Sequence, residues 1–331
     1  MSFFTDRNRL TVPIFSNHLK KARICDIIHS ICLERLRLKM SYLYLLILVL
    51  FSGMVTVIAK FYNIKNAQLE GSSSAYNMIY PIGAALAYGV AYLTDPGFEP
   101  GVLLYSLSYG LFYTLFTIGI TGAIRSGSSS ITALVKQTAL VGTSVWGFFF
   151  FSVPVTVNAV IGMLLIVASL CLCLIEKKKQ GADASHKKDL RLPLYLLLIA
   201  AGNIGCPVTH KYLLMRYDGK HGYMMLFFGV LLSAIISTAR ALKGKQKIPK
   251  KLVLSSGHLP IFAGASSAMT GIMQTILLNM NMSTSVLYPT LAVGGLIVTL
   301  IFSIFSFKER LRPAQWCGIA VGCAALVLLN L

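Results

Sequence analysis

The sequence predicts an all-α polytopic membrane protein: ten transmembrane helices arranged as two inverted five-helix repeats. Three observations predict this. Of 331 residues, 56% are hydrophobic and only 12% are charged, with a mean hydropathy of +0.71. That is more apolar side chain than a soluble core of this size encloses, so lipid must act as solvent. Apolar runs of about 20 residues, the length that crosses roughly 30 Å of hydrocarbon, recur along the chain. The chain also repeats itself. Phe151 to Leu172 and Phe307 to Leu328 align without a gap, sharing Phe151/Phe307, Gly162/Gly318, Ala168/Ala324, Leu170/Leu326 and Leu172/Leu328, and the register extends upstream to Ser129/Ser285, Thr143/Thr299 and Phe149/Phe305. Substrate sites tend to form where two such repeats meet near the bilayer midplane.

In chain order, the first repeat occupies 40–175 with spans at 41–62, 74–94, 101–124, 128–150 and 154–175. The polar turn TDPGFEP closes the second of these. A basic linker at 176–191, within EKKKQGADASHKKDLR, separates the halves. The second repeat occupies 192–331 with spans at 192–214, 221–240, 257–279, 283–306 and 312–331. RYDGKHG, the basic stretch Arg240 to Lys251, MNM and KER punctuate it. Segments this long, without strict apolar/polar alternation, read as helices and not as the short strands of a barrel. Connections of a few residues between spans three and four, four and five, eight and nine, and nine and ten make those pairs antiparallel neighbours.

The net charge of +19 would suggest nucleic acid in a soluble protein. Here it lies on short loops, where Lys and Arg mark the cytoplasmic side, so no nucleic-acid partner is expected. Lys177, Lys178, Lys179, Lys187, Lys188 and Arg191, then Arg240, Lys243, Lys245, Lys247, Lys250 and Lys251, then Lys308, Arg310 and Arg312 all fall on one membrane face. If that face is cytoplasmic, both termini lie outside. Yet residues 1–39 are themselves basic, and two readings of them stand. Met40 is the natural start, with MSYLYLLILVLF opening the protein, or Ile24, Ile27, Ile28, Ile31 and Cys32 line one face of a basic amphipathic helix on the membrane surface. The seven cysteines, an odd number mostly inside apolar segments, read as small packing residues. Cys171 and Cys173 point in different directions on a helix and share no metal.

The closing pattern of the second repeat, KERLRPAQWCGIAVGCAALVLL, resembles the EamA-type members of the drug/metabolite transporter superfamily. STSVLYPTLAVGGLIVTLIFSIFSFKE is similar to the family's helix with a Pro in its first half and a Glu past its end, here Pro289 and Glu309. FSGMVTVIAK and AGNIGCPVTHK are similar to its Gly-containing first helix ending on Lys, here Lys60 and Lys211. The likeness runs from Met40 to Leu331. It implies carriage of a small organic solute, usually outward, by alternating access between inverted repeats, with both termini in the cytoplasm. The loop charges oppose that orientation. The first repeat departs from the pattern, with Ala133 near the place of Pro289 and Val153 in that of Glu309.

Lys136 is the leading candidate for function. It lies about 12 Å into the fourth span, where a Lys costs roughly 2.5 to 3.5 kcal/mol on insertion scales. All eleven acidic residues lie outside the spans or at their ends. The expectation is that Lys136, with Gln137, faces a central cavity and binds the anionic part of a solute. The plainer alternative is that it snorkels or bonds a neighbouring helix. Lys60 and Lys211, at equivalent helix ends, suit gating, or snorkelling to the headgroups. His210 titrates near neutral pH when unperturbed and suits proton handling, or plain packing. Asn203, Gln274 and Tyr288 bond either solute or a neighbouring helix. Pro207 and Pro289 are expected to break their helices and free carbonyls. The aromatic run Trp146 to Phe151 reads as lipid-facing, and Glu309 as a local cap.

Three functions compete: a secondary transporter, a lateral flippase for a lipid-linked substrate, and a membrane-embedded enzyme. The last lacks HExxH, paired intramembrane carboxylates, a Ser/His/Asp set and a phosphate-binding loop. No cofactor or metal is expected. The expected setting is the lipid bilayer of a bacterial plasma membrane, with the protein a monomer or homodimer.

Overall fold

The computed structural model describes residues 40–66, 69, 71–126, 129–151, 155–174, 192–243, 248–307 and 313–329. The basic segment 1–39, Val153, the linker 176–191 and the KER turn with Glu309 lie outside them, as does the side chain of Ala133. The chain divides into Met1–Leu43 and Tyr44–Leu331. Of the first unit only the helical residues Met40 to Leu43 are described.

All regular structure among the described residues is helical. The helices are α1 (Met40–Lys65), α2 (Ser72–Thr94), α3 (Val102–Ser126), α4 (Ser129–Phe150), α5 (Val157–Leu174), α6 (Leu192–Arg216), α7 (Gly222–Lys243), α8 (Lys250–Ser256), α9 (His258–Asn279), α10 (Thr284–Phe307) and α11 (Pro313–Leu329). Each apolar stretch expected from the sequence carries a helix whose ends fall within three residues of the expected ones. Six of them, α1, α3, α6, α7, α9 and α10, are long and apolar enough to cross a membrane. α2 has 23 residues, but Ser72, Ser73, Ser74, Asn77 and four tyrosines lower its hydropathy. The seven-residue α8 begins in the last two residues of the basic stretch Arg240 to Lys251 and is not expected from the sequence. Pro249, with φ −63°, starts that turn, and Gly257 joins it to α9.

Pro207 and Pro289 do not break their helices: they sit inside continuous α6 and α10, and Pro81 does the same in α2. A proline withholds one N–H, here from the carbonyls of Asn203, Ser285 and Asn77. Packing on neighbouring helices lets the helix continue through it.

Close contacts fix the directions of the helices. α3 and α6 run antiparallel, with Gly122 under the Tyr195 ring and Gly202 against Phe112 and Phe116. A Cβ on Gly202 would stand 2.5 Å from the Phe112 carbonyl oxygen, so this approach needs glycine. α2 runs parallel to α9, pairing Tyr80 with Gly264 and Tyr88 with Gly271, and α3 parallel to α7, where Thr114 donates to Ser233 at 3.0 Å. α4 meets α10 through Ser144, which donates to the Thr284 carbonyl at 3.0 Å, and α5 meets α11 through Ser169, which donates to the Gly318 carbonyl at 2.6 Å. α1 lies along α10, with Val49 against Gly294 and Gly53 against Val298. The starts of α2 and α6 therefore share one face with the ends of α3 and α7. Arg240 and Lys243 lie on it and make it the basic face of the bundle.

One apolar core joins α1, α2, α3, α6, α7, α9 and α10, with Leu140 of α4, and a smaller one joins α4, α5, α10 and α11. Large apolar side chains also point outward: Leu86, Val90, Leu93, Leu104, Phe149, Phe305 and Val327 are all more than 60% exposed. Outside lipid this surface would have no partner, and with six spanning-length helices it makes the chain a multi-pass membrane protein. Trp146, Phe149 and Phe150 belong to that surface, whereas Phe151 turns in against Tyr212.

Candidate functional site

The stripe of α6 that carries Asn203, Cys206, Pro207 and His210 has spacings of three and four, which put all four on one face. At its start the Asn203 amide donates to the Lys136 carbonyl at 2.5 Å, tying α6 to α4. Asn203 thus holds the main chain of Lys136, and the Lys136 side chain is half-buried beside a buried Gln137. Two turns on, His210 is 1% exposed, with Nε2 3.1 Å from the Thr275 hydroxyl of α9. That hydroxyl donates to the Gly271 carbonyl at 2.9 Å. Its single proton is therefore engaged, and Nε2 is the donor in the pair.

The neighbouring α9 residue completes this buried group: Gln274 donates to the Tyr288 hydroxyl of α10 at 2.9 Å, and Tyr288 is fully buried. Gly222, at the start of α7, lets the chain pass close to Thr275, where a Cβ would stand 2.9 Å from the threonine methyl. His210, Gln274 and Tyr288 thus gather between α6, α9 and α10. Lys136, Gln137 and Asn203 form a second group, about 10 Å away along α6 at a rise of about 1.5 Å per residue. Lys60 and Lys211 do not end their helices as the sequence suggests. Each lies five residues inside, since α1 runs to Lys65 and α6 to Arg216, and both are half-buried.

A row of tyrosines, which the sequence reading passes over, runs between the first three helices. Tyr62 of α1 meets Tyr76 of α2 at 5.2 Å between ring centres. Tyr76 stacks with Tyr80 at 5.6 Å, Tyr80 with Tyr113 of α3 at 6.1 Å, and Tyr113 with Tyr109 at 6.1 Å, with interplanar angles of 14°, 6° and 22°. The row leads from the basic-face ends of α1 and α2 to the middle of α3. The Tyr113 hydroxyl is buried and faces the Tyr80 and Ser267 side chains without a well-formed hydrogen bond to either, a costly state for a polar atom. Farther along α2, the Tyr88 hydroxyl rests against Gly271. The sequence holds a signal for this: Tyr76 and Tyr80, and Tyr105, Tyr109 and Tyr113, recur every four residues, the spacing of one helical face.

Two cavities lie near these groups, and none of the candidate functional residues from the sequence lines either. One, of about 230 Å³, opens on the basic face among Ser73, Ser74, Asn77, Thr121, Tyr195 and Arg240. The other, of about 470 Å³, is an apolar groove on the side of the bundle between Phe51, Met54 and Ile58 of α1 and Leu259, Phe262 and Met269 of α9. Among the described residues no three His, Cys, Asp or Glu side chains gather as a metal site would require, and Cys171, Cys206, Cys317 and Cys323 are free.

No protein-family profile and no curated protein matches the sequence. The fold is similar to that of a protein solved by crystallography, with a TM-score of 0.63 at 13% identity over 88% of this chain and 96% of that one. At that identity the likeness concerns the fold alone.

Proposed function

We propose that the protein is a secondary transporter that moves a small organic solute by alternating access between two inverted repeats, α1–α5 and α6, α7, α9, α10 and α11. The observation that carries this reading is the tyrosine row, a largely buried, polar-edged line of stacked rings from the basic face to mid-bundle that includes the buried Tyr113 hydroxyl. A bundle that only had to be stable would fill that path with aliphatic side chains. The packing pattern supports the repeats. Exchanging the halves turns the α2–α9 pair into α7–α3 and returns α2–α7, α4–α10 and α5–α11 to themselves, and all of these pairs are in contact. The resemblance to EamA-type carriers agrees with this reading, and the direction we propose is outward, across a bacterial plasma membrane.

In this reading the solute meets the rings of Tyr76, Tyr80 and Tyr113 from the basic face. Lys136 and Gln137 supply charge and amide groups beside α6. The His210–Thr275 and Gln274–Tyr288 pairs hold the far side closed, and Lys60 and Lys211 stand on opposite faces as gating residues. A flippase for a lipid-linked substrate is the second reading, favoured by the apolar groove between α1 and α9, which is open to the side.

The test is a thermal-stabilisation screen of the purified protein against amino acids, nucleobases, polyamines and carboxylates, with each hit carried into proteoliposome uptake. The transporter reading predicts saturable uptake of a stabilising solute, lowered at least tenfold by Tyr80→Ala. Uptake that is non-saturable, or unchanged in that variant, refutes it. Movement of a fluorescent lipid between leaflets, with no solute uptake, selects the second reading.

A further inference from the structure

No tyrosine of the row lines the cavity on the basic face. Its wall brings four helices together: Ser73, Ser74 and Asn77 from the first two turns of α2, Thr121 from the end of α3, Tyr195 from the start of α6 and Arg240 from the end of α7. The Asn77 amide donates to the Thr121 hydroxyl at 2.9 Å, and that hydroxyl donates to the Thr117 carbonyl at 3.0 Å. This fixes Asn77 across the gap between α2 and α3, with its second N–H still to be used. The Tyr195 ring lies over Gly122, where any Cβ would collide with it. One side of the cavity is thus rigid, and the groups offered to it are hydroxyls, an amide and a guanidinium. Among the described residues no carboxylate lines it, and the described acidic side chains, Asp95, Glu99 and Asp218, lie in the turns of the opposite face.

We infer that this cavity is a binding site for a phosphate group, held by the Arg240 guanidinium with the hydroxyls of Ser73 and Ser74 and the amide of Asn77. A guanidinium presents paired N–H donors that fit two oxygens of one phosphate. The hydroxyls and amide fit the remaining oxygens. A site at the membrane surface reaches phosphate from two sources, the headgroup of an anionic lipid and a phosphate-bearing solute in water.

Two arms of one experiment separate the sources. In the first, labelled inorganic phosphate is dialysed to equilibrium against the full-length protein in phosphatidylcholine nanodiscs. In the second, phosphatidylglycerol retained by the detergent-purified protein is counted by native mass spectrometry. Saturable binding is expected in at least one arm. Phosphate in the first arm identifies a soluble ligand, and retention in the second alone identifies a lipid. In the positive arm Arg240→Gln lowers affinity or retention at least tenfold and Asn77→Ala lowers it several-fold. Lys243→Gln, which removes an exposed charge one turn away, leaves it unchanged. An unaltered melting temperature shows that each variant is folded, and Arg240→Lys replaces Arg240→Gln if that variant is not. The proposal is overturned if neither arm shows binding, or if Lys243→Gln weakens binding as much as Arg240→Gln does.

Discussion

Gln274 donates to the Tyr288 hydroxyl at 2.9 Å across the α9–α10 interface, with both side chains buried. Removing one partner strands the other in an apolar interior, and an unpaired buried polar group costs about 1 to 3 kcal/mol. Tyr288→Phe and Gln274→Leu are each expected to lower stability by that amount. The double variant should cost less than the sum, because no polar group is left stranded. Unfolding in mixed micelles measures all three.

Tyr113 is the opposite case. Its hydroxyl is buried and faces Tyr80 and Ser267 without a well-formed hydrogen bond, so Tyr113→Phe is expected to change the melting temperature little. If that hydroxyl contacts the solute, the same substitution weakens solute binding by about 1 kcal/mol, roughly fivefold. Melting curves with and without the stabilising solute read both effects.

Glycine spacing between α3 and α6 sets how closely those helices approach. At Gly202 an added Cβ would collide with the Phe112 carbonyl oxygen at 2.5 Å, whereas at Gly142 it would stand 3.0 Å from the Ile204 Cδ1, the tip of a flexible side chain. Gly202→Ala is expected to destabilise by about 1 to 3 kcal/mol. Gly142→Ala should cost less, and the same unfolding assay ranks them.

Lys136 is half-buried, and its main chain is held by Asn203. If its ammonium binds the anionic part of the solute, Lys136→Ala and Lys136→Met both lower uptake at least tenfold while the protein still folds. If both variants transport at the wild-type rate, Lys136 has no part in binding. Asn203→Ala, which frees the Lys136 carbonyl, is expected to lower stability by about 1 kcal/mol.

The helix ends are legible in the sequence because charged, Pro-rich or Gly-rich turns interrupt otherwise continuous apolar runs. α8 is not, since its KKLVLSS starts in the basic linker and is too short and too little apolar to stand out before the next span. The buried pairings are only half legible. Asn203, His210, Gln274 and Tyr288 stand out as polar residues in apolar segments, but nothing local marks Thr275, 65 residues away on another helix, as the partner of His210. Pro207 and Pro289 read as breaks because the sequence does not show the neighbours that carry a helix past a missing N–H. The tyrosine row escapes notice because tyrosine in a membrane sequence reads first as an interfacial anchor, and only the α2–α3 packing shows that these rings point inward.

The most direct test of alternating access is chemical accessibility at mid-bundle. A variant without the seven native cysteines takes Tyr113→Cys or Tyr80→Cys, is reconstituted, and is treated with a charged, membrane-impermeant thiol reagent from one side or the other. The account predicts that each position reacts from either side, and that a stabilising solute slows both reactions. Protection from both sides, with the protein folded, would contradict it.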